Sequence, residues 1–89
     1  MYKVVIAEDA ADFLRGQTKR IKRQLDRKIR ALGQNPYPPN SIKLKGQDNL
    51  YRITSGWYRI IYTVKNKQLI VLVLRIAHRK EVYRHLPQA

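Results

Sequence analysis

Cations interrupt the apolar β segments in the second half of the chain, and their spacing indicates a site for a polar ligand. The apolar run 69–74 leads directly into Arg75, His78 and Arg79, and the phenol of Tyr83 follows four residues after Arg79. Long cationic side chains are costly inside apolar strands unless they serve a polar ligand. Several of them at one strand end therefore predict a site for a phosphate backbone.

A second cationic stretch lies upstream, in the segment 51–62. Its two arginines, Arg52 and Arg59, flank Ser55 and Gly56, a dipeptide that predicts a tight two-residue hairpin turn. Strand alternation places both arginines on one face, so the two can lie near each other across the hairpin. Like charges on one sheet face are unfavourable alone, and an anion bound between them removes the penalty.

The available residue types leave metal-free acid–base chemistry on a phosphodiester as the expected reaction. The chain has two histidines, six acids and no cysteine, so we expect no metal site and no cofactor. It has no glycine-rich phosphate loop, and no serine or cysteine nucleophile is paired with a plausible base. In RNA the 2′-hydroxyl is an internal nucleophile, so a protein needs only to orient it, move protons and stabilise negative charge.

Each of these side chains also has a purely structural interpretation. Arg52 and Arg59 can extend from the rim of a sheet into water, and Tyr83 can pack beneath a C-terminal turn. Taken singly, the structural interpretation is the stronger one. Their clustering, with only Asp48 and Glu81 nearby in sequence as acids, favours a nucleic-acid phosphate site.

The composition indicates the number of domains and the kind of partner. Eighty-nine residues, 44% of them hydrophobic, predict a single domain over 1–89 with a small core. A net charge of +13, from nineteen Lys and Arg against six acids, predicts an anionic partner such as nucleic acid. No apolar run approaches the roughly 20 residues of a membrane span, and the lack of cysteine fits a reducing cytoplasm.

The elements that position these residues are predicted in the order β-α-α-β-β-β. A short helix ends at Gly16, and a longer, strongly basic helix covers about 17–32 with Gly33 as its C-cap. The predicted strands are residues 2–6, 50–54, 57–64 and 69–76. The last strand lacks alternation, so it should be central and buried on both faces. This order predicts an α+β fold, an antiparallel sheet with two N-terminal helices packed on one face and a short C-terminal helical turn.

Four segments of the chain resemble the RelE branch of the RelE/ParE toxins of bacterial toxin–antitoxin pairs. They are Lys43-Leu-Lys-Gly46, Leu50-Tyr-Arg-Ile53, Tyr58-Arg-Ile-Ile-Tyr62 and Ala77-His-Arg-Lys-Glu-Val-Tyr83. The resemblance covers nearly the whole chain, and its C-terminal segment is the most specific part. It implies a cytoplasmic, ribosome-dependent endoribonuclease that cuts mRNA without metal and leaves a 2′,3′-cyclic phosphate. It also implies an acidic, RelB-like antitoxin as partner.

The resemblance assigns roles to four residues. Arg52 stands where the family has a catalytic lysine, and Arg59 matches an arginine that stabilises the phosphate. Arg79 matches the arginine proposed as general acid, and Tyr83 matches the tyrosine proposed as base. For Tyr83 to act so, its pKa would have to fall from about 10 in a field of cations.

One departure from the family pattern concerns Thr54, which occupies a position where some members carry a second lysine. It implies weaker activity, or missing charge supplied by His78 or Arg75. The predicted contacts to RNA and the ribosome are these two residues together with Arg23, Arg27, Lys43 and Lys45.

Two other functions stay open at the level of sequence. One is a ParE-like inhibitor that binds DNA gyrase and performs no chemistry, and the other is a basic RNA-binding module without activity. The pairing of Tyr83 with Arg79 favours the enzyme, because a non-enzymatic binder has no need of a C-terminal phenol beside cations.

Overall fold

The computed structural model describes residues 1–82, which form two helices and one five-stranded sheet. The elements are β1 (Lys3–Ile6), α1 (Glu8–Arg15), α2 (Lys19–Gln34), β2 (Ile42–Lys43), β3 (Tyr51–Ser55), β4 (Tyr58–Lys65) and β5 (Ile70–His78). The strands lie in the order β1-β5-β4-β3-β2 across the sheet. The predicted α+β fold and the order of its main elements are confirmed, and β2 is an additional short strand at the sheet edge.

The sheet is mixed rather than entirely antiparallel. β1 pairs with β5 in parallel, whereas β2, β3, β4 and β5 form an antiparallel meander. Parallel neighbours need a long connection between them, and the two helices that follow β1 form the first part of it. Apolar alternation predicts that a strand exists, but not whether the neighbouring strand runs parallel or antiparallel to it. The parallel pairing of β1 with β5 therefore could not be predicted from the sequence.

Both helices pack on one face of the sheet, as predicted. Thr18 caps α2 by accepting a hydrogen bond at Oγ1 from the backbone N–H of Ile21, at 3.3 Å. The apolar stripe of α2 then meets β4 and β5 in one continuous core. Its fully or almost fully buried members include Leu25, Ile29, Leu32, Ile60, Tyr62, Val71 and Val73. No helix within residues 1–82 is long and apolar enough to cross a membrane.

Gly33 lies inside α2, so its predicted role as the C-cap is wrong. The C-cap is Asn35, whose backbone N–H donates to the carbonyl of Ala31 at 3.1 Å. A Cβ at position 33 would lie 3.0 Å from the carbonyl oxygen of Tyr2 and 3.2 Å from Cγ2 of Val4. Glycine is therefore required here for the close approach of β1 to the helix, rather than for an unusual φ angle.

A β-bulge in β5 changes which residues share a face. Ile61 pairs with Arg75 but Tyr62 pairs with Val73, so Leu74 is an extra residue in β5. Upstream of the bulge, Val71 and Val73 face the helices and are fully buried, while Leu72 and Leu74 are only half-buried. The predicted central position of this strand is confirmed, because β5 lies between β1 and β4, whereas its face away from the helices is buried only in part.

Beyond the bulge, Ile76 joins the core on the helix side, and Ala77 belongs to a small cluster on the opposite face. That cluster consists of Leu50, Ile61, Ala77 and Val82, with Leu44 and Leu74 packed against it. The face of the sheet away from the helices thus has its own small apolar floor. The predicted arginines Arg52 and Arg59 stand on this face, because they alternate with the core residues of β3 and β4.

Candidate active site

The β3–β4 hairpin turn forms the centre of the candidate site. Ser55 pairs with Tyr58, so the turn residues are Gly56 and Trp57, one position later than predicted. Gly56 has a φ of +59°, a left-handed conformation that residues with a Cβ rarely adopt. The Gln24 side chain of α2 donates to Oγ of buried Ser55 at 3.2 Å, which anchors the turn to the helix.

Arg59 folds back along this turn instead of extending into solvent. Its Nη1 donates to the carbonyl of Gly56 at 3.2 Å and to the carbonyl of Tyr58 at 3.1 Å. The two carbonyls belong to the residues on either side of Trp57, so the guanidinium is held at the tip of the hairpin. Opposite Arg59 on β3 lies Thr54.

Arg79 reaches the same turn from the end of β5. Its backbone N–H donates to the carbonyl of Trp57 at 2.8 Å, and its Cζ lies 4.3 Å from the centroid of the indole ring. A guanidinium over an aromatic face is attracted by the negative face of the ring. Two of the predicted catalytic arginines, one on β4 and one directly after β5, therefore converge on the turn that carries an exposed tryptophan.

Arg52 shares the face of Arg59 but does not lie directly opposite it. Arg52 pairs with Ile61, whereas Arg59 pairs with Thr54, so the two arginines are diagonal neighbours. Such neighbours lie about 7–8 Å apart at their Cα atoms, within reach of long side chains. The predicted shared face is confirmed, and the half-buried Arg52 stands one step further from the turn.

His78 packs against the hairpin turn through its ring. The imidazole is parallel to the Trp57 indole, with an interplanar angle of 5° and centroids 6.3 Å apart, and it meets the Tyr58 ring edge-on at 6.2 Å. Its Nδ1 accepts a hydrogen bond from the backbone N–H of Lys80 at 3.3 Å. Its predicted contact with RNA stays a prediction.

Arg75 is engaged by the protein itself. Its Nε donates to the carbonyl of Val82 at 3.2 Å, its Nη2 donates to the carbonyl of Glu81 at 3.3 Å, and its Nη1 lies 3.6 Å from a carboxylate oxygen of Asp9. These contacts tie the turn after β5 to α1. The guanidinium thus has a structural task, which disfavours the predicted role of Arg75 in supplying charge to RNA.

The predicted lysine contacts lie apart from the arginines of the sheet. Lys43 pairs with Tyr51 on β3, so it faces the side opposite to Arg52. Lys45 is exposed in the segment between β2 and β3. Tyr83, the predicted base, lies outside the described residues 1–82. The structure therefore places Arg59 and Arg79 at one turn, with Arg52 on the same face as Arg59, and does not add these lysines to them.

The basic helix α2 lies next to the hairpin turn through Gln24. Arg23 and Arg27 are exposed and one helical turn apart, so they share one side of α2. We use the name basic helix surface for the shallow depression lined by Lys19, Arg20, Arg23, Gln24 and Arg27. Because Gln24 belongs to this surface and also contacts Ser55, the surface is adjacent to the turn that carries Trp57.

The ion pairs of the described residues leave the hairpin turn without compensating carboxylates. Arg15 pairs with Glu8 at 2.8 Å and with Asp12, and Arg75 pairs with Asp9. Within residues 1–82, neither Arg59 nor Arg79 has a carboxylate partner, so their charges stay available to an anion. In the same part of the chain, no group of three His, Asp or Glu residues could hold a metal ion.

Trp57 belongs to the site, although it is not among the site residues predicted from the sequence. It was predicted only as the first residue of a strand, whereas it occupies the turn and is 59% exposed. A signal was present in the sequence, because Trp57 is the only tryptophan of the chain and follows a turn glycine where polar residues are common.

Comparison with known proteins agrees with the fold and with the sequence pattern. A family model described as the ParE toxin of the type II toxin–antitoxin system parDE matches residues 5–83. A relative named as the toxin RelE1 of Methanocaldococcus jannaschii is 32% identical over 60 residues, covering 64% of this chain and 67% of that protein. The archaeal RelE–RelB complex of Pyrococcus horikoshii superposes with a TM-score of 0.78 at 29% identity, covering 90% of this chain and 97% of that chain. The intact E. coli RelBE toxin–antitoxin complex superposes with a TM-score of 0.76 at 26% identity, covering 88% of this chain and 96% of that chain.

The family match spans most of the chain, so this protein belongs to the ParE toxin family of type II toxin–antitoxin systems. The similarity to RelE1 and to the RelE structures identifies it further as a RelE-type toxin. The resemblance drawn from the sequence is confirmed.

Proposed function

We propose that this toxin is a ribosome-dependent endoribonuclease that cuts mRNA by attack of the 2′-hydroxyl, without a metal ion. The observation that carries the proposal is the convergence of Arg59 and Arg79 on the hairpin turn, with no carboxylate partner among residues 1–82. Arg52 adds a third cation on the same face as Arg59. This arrangement favours an anionic ligand that is larger than one phosphate.

The chemistry follows from the charges that develop during the reaction. Attack of the 2′-oxygen places additional negative charge on the phosphoryl oxygens, and guanidinium groups held in advance stabilise it. Arg59 is held by two carbonyls, so little reorganisation is needed when the phosphate arrives. By its match to the RelE pattern, Arg79 is assigned as the general acid that protonates the leaving oxygen. Tyr83 is assigned as the base that takes the proton of the 2′-hydroxyl. No step of this scheme requires a metal ion or another cofactor.

The proposed physiological partners are mRNA on the ribosome and an acidic, RelB-like antitoxin. A net charge of +13 favours both kinds of partner, because each presents an anionic surface. The solved RelE relatives include complexes with RelB, which supports an antitoxin for this toxin as well. Co-expression with the product of the adjacent reading frame should give a stable complex that assembles more slowly as salt is raised.

Toeprinting on programmed ribosomes tests the proposal. Purified toxin should cut mRNA within the ribosomal decoding site, and the 5′ fragment should end in a 2′,3′-cyclic phosphate. Cleavage should continue with a chelator present at a concentration that leaves the ribosomes intact. No cleavage of ribosome-bound mRNA by toxin that still binds its antitoxin would contradict the proposal, and loss of cleavage on chelation would contradict the metal-free mechanism.

Inhibition of DNA gyrase is the second candidate, because the family model that matches the chain is that of the ParE toxin. In that case the arginines of the hairpin would bind gyrase or DNA and would perform no chemistry. A supercoiling assay with purified gyrase discriminates between the two functions. Inhibition of supercoiling by a toxin that leaves ribosome-bound mRNA intact would favour this candidate.

A further inference from the structure

Trp57 occupies an unusual position for a large apolar side chain. It is 59% exposed at the tip of the β3–β4 hairpin, where polar residues are the rule. Its backbone carbonyl is bonded by Arg79, and the carbonyls on either side of it in sequence are bonded by Arg59. The ring is therefore exposed, and the backbone that carries it is held by three hydrogen bonds.

The surroundings of the ring select the kind of ligand. The Arg79 guanidinium lies 4.3 Å from the indole centroid, and the imidazole of His78 is parallel to the indole. A ligand bound here meets an aromatic surface together with the guanidinium groups of Arg59 and Arg79. A nucleotide has this chemistry, because its base has a flat π face and its phosphate is an anion.

We propose that Trp57 is a stacking platform for one nucleobase of the mRNA, and that this stack places the adjoining phosphate between Arg59 and Arg79. The inference rests on the proposed ribonuclease function and assigns a positioning role to a residue outside the predicted catalytic set. The base supplies binding and orientation, and the arginines act on the phosphate. Stacking tolerates any base, so the platform orients the nucleotide without fixing its identity.

Single-turnover cleavage on saturated programmed ribosomes tests the platform through a double-mutant cycle. Trp57→Ala should slow cleavage by about 5- to 150-fold, the range that corresponds to the loss of one base–aromatic stack. Trp57→Phe should stay close to the wild-type rate, and Trp57→Leu, which keeps apolar bulk without a π face, should resemble Trp57→Ala. Equal rates for the Phe and Leu variants would show that bulk matters rather than stacking, and would overturn the proposal.

The second arm of the cycle removes the base instead of the ring. An abasic nucleotide is placed in turn at each position of the codon in the decoding site. At one position it should slow the wild-type toxin to the rate of Trp57→Ala and should cause no further loss in that variant. If Trp57→Ala loses the same factor on abasic and intact mRNA at every position, the ring acts only by supporting Arg79, and the platform is excluded.

A binding measurement separates the failure of this inference from the failure of the proposed function. The mRNA carries 2-aminopurine at the position found by the cycle, or at each codon position in turn. All three codon nucleotides have 2′-deoxyribose, so that stacking is read without cleavage. The complex with Trp57→Leu should be brighter than the wild-type complex. If the wild-type and Trp57→Leu complexes emit equally at all positions while ribose mRNA is cleaved normally, the stacking platform alone is overturned. If their emission differs but ribose mRNA is not cleaved, the ribonuclease function alone is overturned. Loss of antitoxin binding by Trp57→Leu, with unchanged cleavage and emission, would assign the ring to the protein partner instead.

Discussion

The two ends of the β3–β4 hairpin differ in how their polar groups are satisfied. At the turn, Arg79 lies over the exposed ring of Trp57 and Arg59 binds the backbone carbonyls on either side of that residue. Neither arginine has a carboxylate partner among residues 1–82. At the opposite end, Tyr51 and Tyr62 stack with their centroids 5.7 Å apart, and the buried hydroxyl of Tyr62 donates to the carbonyl of Pro36 at 2.7 Å.

This difference separates the part of the hairpin that stabilises the fold from the part that is free to bind. The tyrosine end holds the proline-rich segment 35–40 against the sheet, with Tyr37 meeting Tyr51 edge-on at 5.3 Å. Burial raises the pKa of Tyr62 to about 12, which marks a hydroxyl that stays protonated in the folded chain. The turn end instead holds guanidinium charges in place beside solvent. Substitutions at the two ends should therefore affect different measurements.

The largest effect is expected at the turn. Arg79→Ala should slow single-turnover cleavage by about 10²–10⁴-fold, because a group that transfers a proton or stabilises charge in the transition state is lost. The free energy of unfolding should change by less than about 1 kcal/mol, since the side chain is exposed.

Arg15→Ala is the matched control, because the charge of Arg15 is already paired with Glu8 and Asp12. It should cleave at nearly the wild-type rate. If Arg79→Ala and Arg15→Ala cleave equally well on saturated ribosomes, the turn is not the catalytic end of the hairpin.

Tyr83→Phe should also slow cleavage steeply, by about 10²-fold or more, if the phenol takes the 2′-hydroxyl proton. Antitoxin and ribosome binding should stay nearly intact, which is measured by co-purification and by sedimentation with ribosomes. A wild-type rate for Tyr83→Phe under saturating conditions would remove the base from the proposed mechanism and leave the arginines as its only groups.

Substitution at the tyrosine end should change stability rather than catalysis. Tyr62→Phe leaves the carbonyl of Pro36 without its donor, which should lower the free energy of unfolding by about 1–3 kcal/mol. Urea unfolding measures this loss, and cleavage per folded molecule should be unchanged. A variant that unfolds normally but cleaves slowly would show that the two ends are coupled.

The pH dependence of stability sharpens the same comparison. The pKa of Tyr62 is about 12 in the folded chain and about 10 when unfolded, so between these values the unfolded state has lost a proton that the folded state retains. Stability from this group is thus complete below pH 10 and declines as pH rises toward 12, by at most about 1.4 kcal/mol per pH unit. The decline should be smaller in Tyr62→Phe than in the wild type, and an identical decline would contradict this origin.

The smallest effect is expected on the basic helix surface. Arg27→Ala should weaken ribosome binding about equally for all codons and should lower the slope of log affinity against log salt by about one unit. At saturating ribosome concentration its cleavage rate should match the wild type. A slower rate at saturation would bring this helix into the chemistry, contrary to its position behind the turn.

Much of the fold could be predicted from local pattern, and the exceptions have identifiable causes. The helical stripe from Ile21 to Leu32 and the strands of the meander follow from side-chain spacing. The parallel pairing of β1 depends on the path of the chain through space, and the bulge at Leu74 is an extra residue within a uniform apolar run. Neither the parallel pairing nor the bulge changes the alternation of apolar and polar residues from which strands are predicted. The sequence does not distinguish the two possible roles of Gly33, because close packing and chain reversal both favour glycine.

The candidate site was predictable in part for related reasons. The shared face of Arg52 and Arg59 follows from alternation, which is local. Arg75 contacts Asp9 on α1 and the carbonyls of the turn after β5. The contact with Asp9 depends on where α1 packs, which cannot be predicted from residue spacing. The role of Trp57 does not follow from spacing, because it depends on two arginines, one on β4 and one after β5, that meet at the hairpin turn.

The position of Trp57 also gives the protein an optical reporter of its own. As the only tryptophan in the chain, it is the sole source of indole emission, and it lies under the guanidinium of Arg79. Excitation at the red edge of protein absorbance would therefore report on the hairpin tip alone, without any attached dye. The arrival of a tryptophan-free antitoxin, its departure, and the movement of Arg79 away from the ring could then be followed in real time in the unmodified toxin.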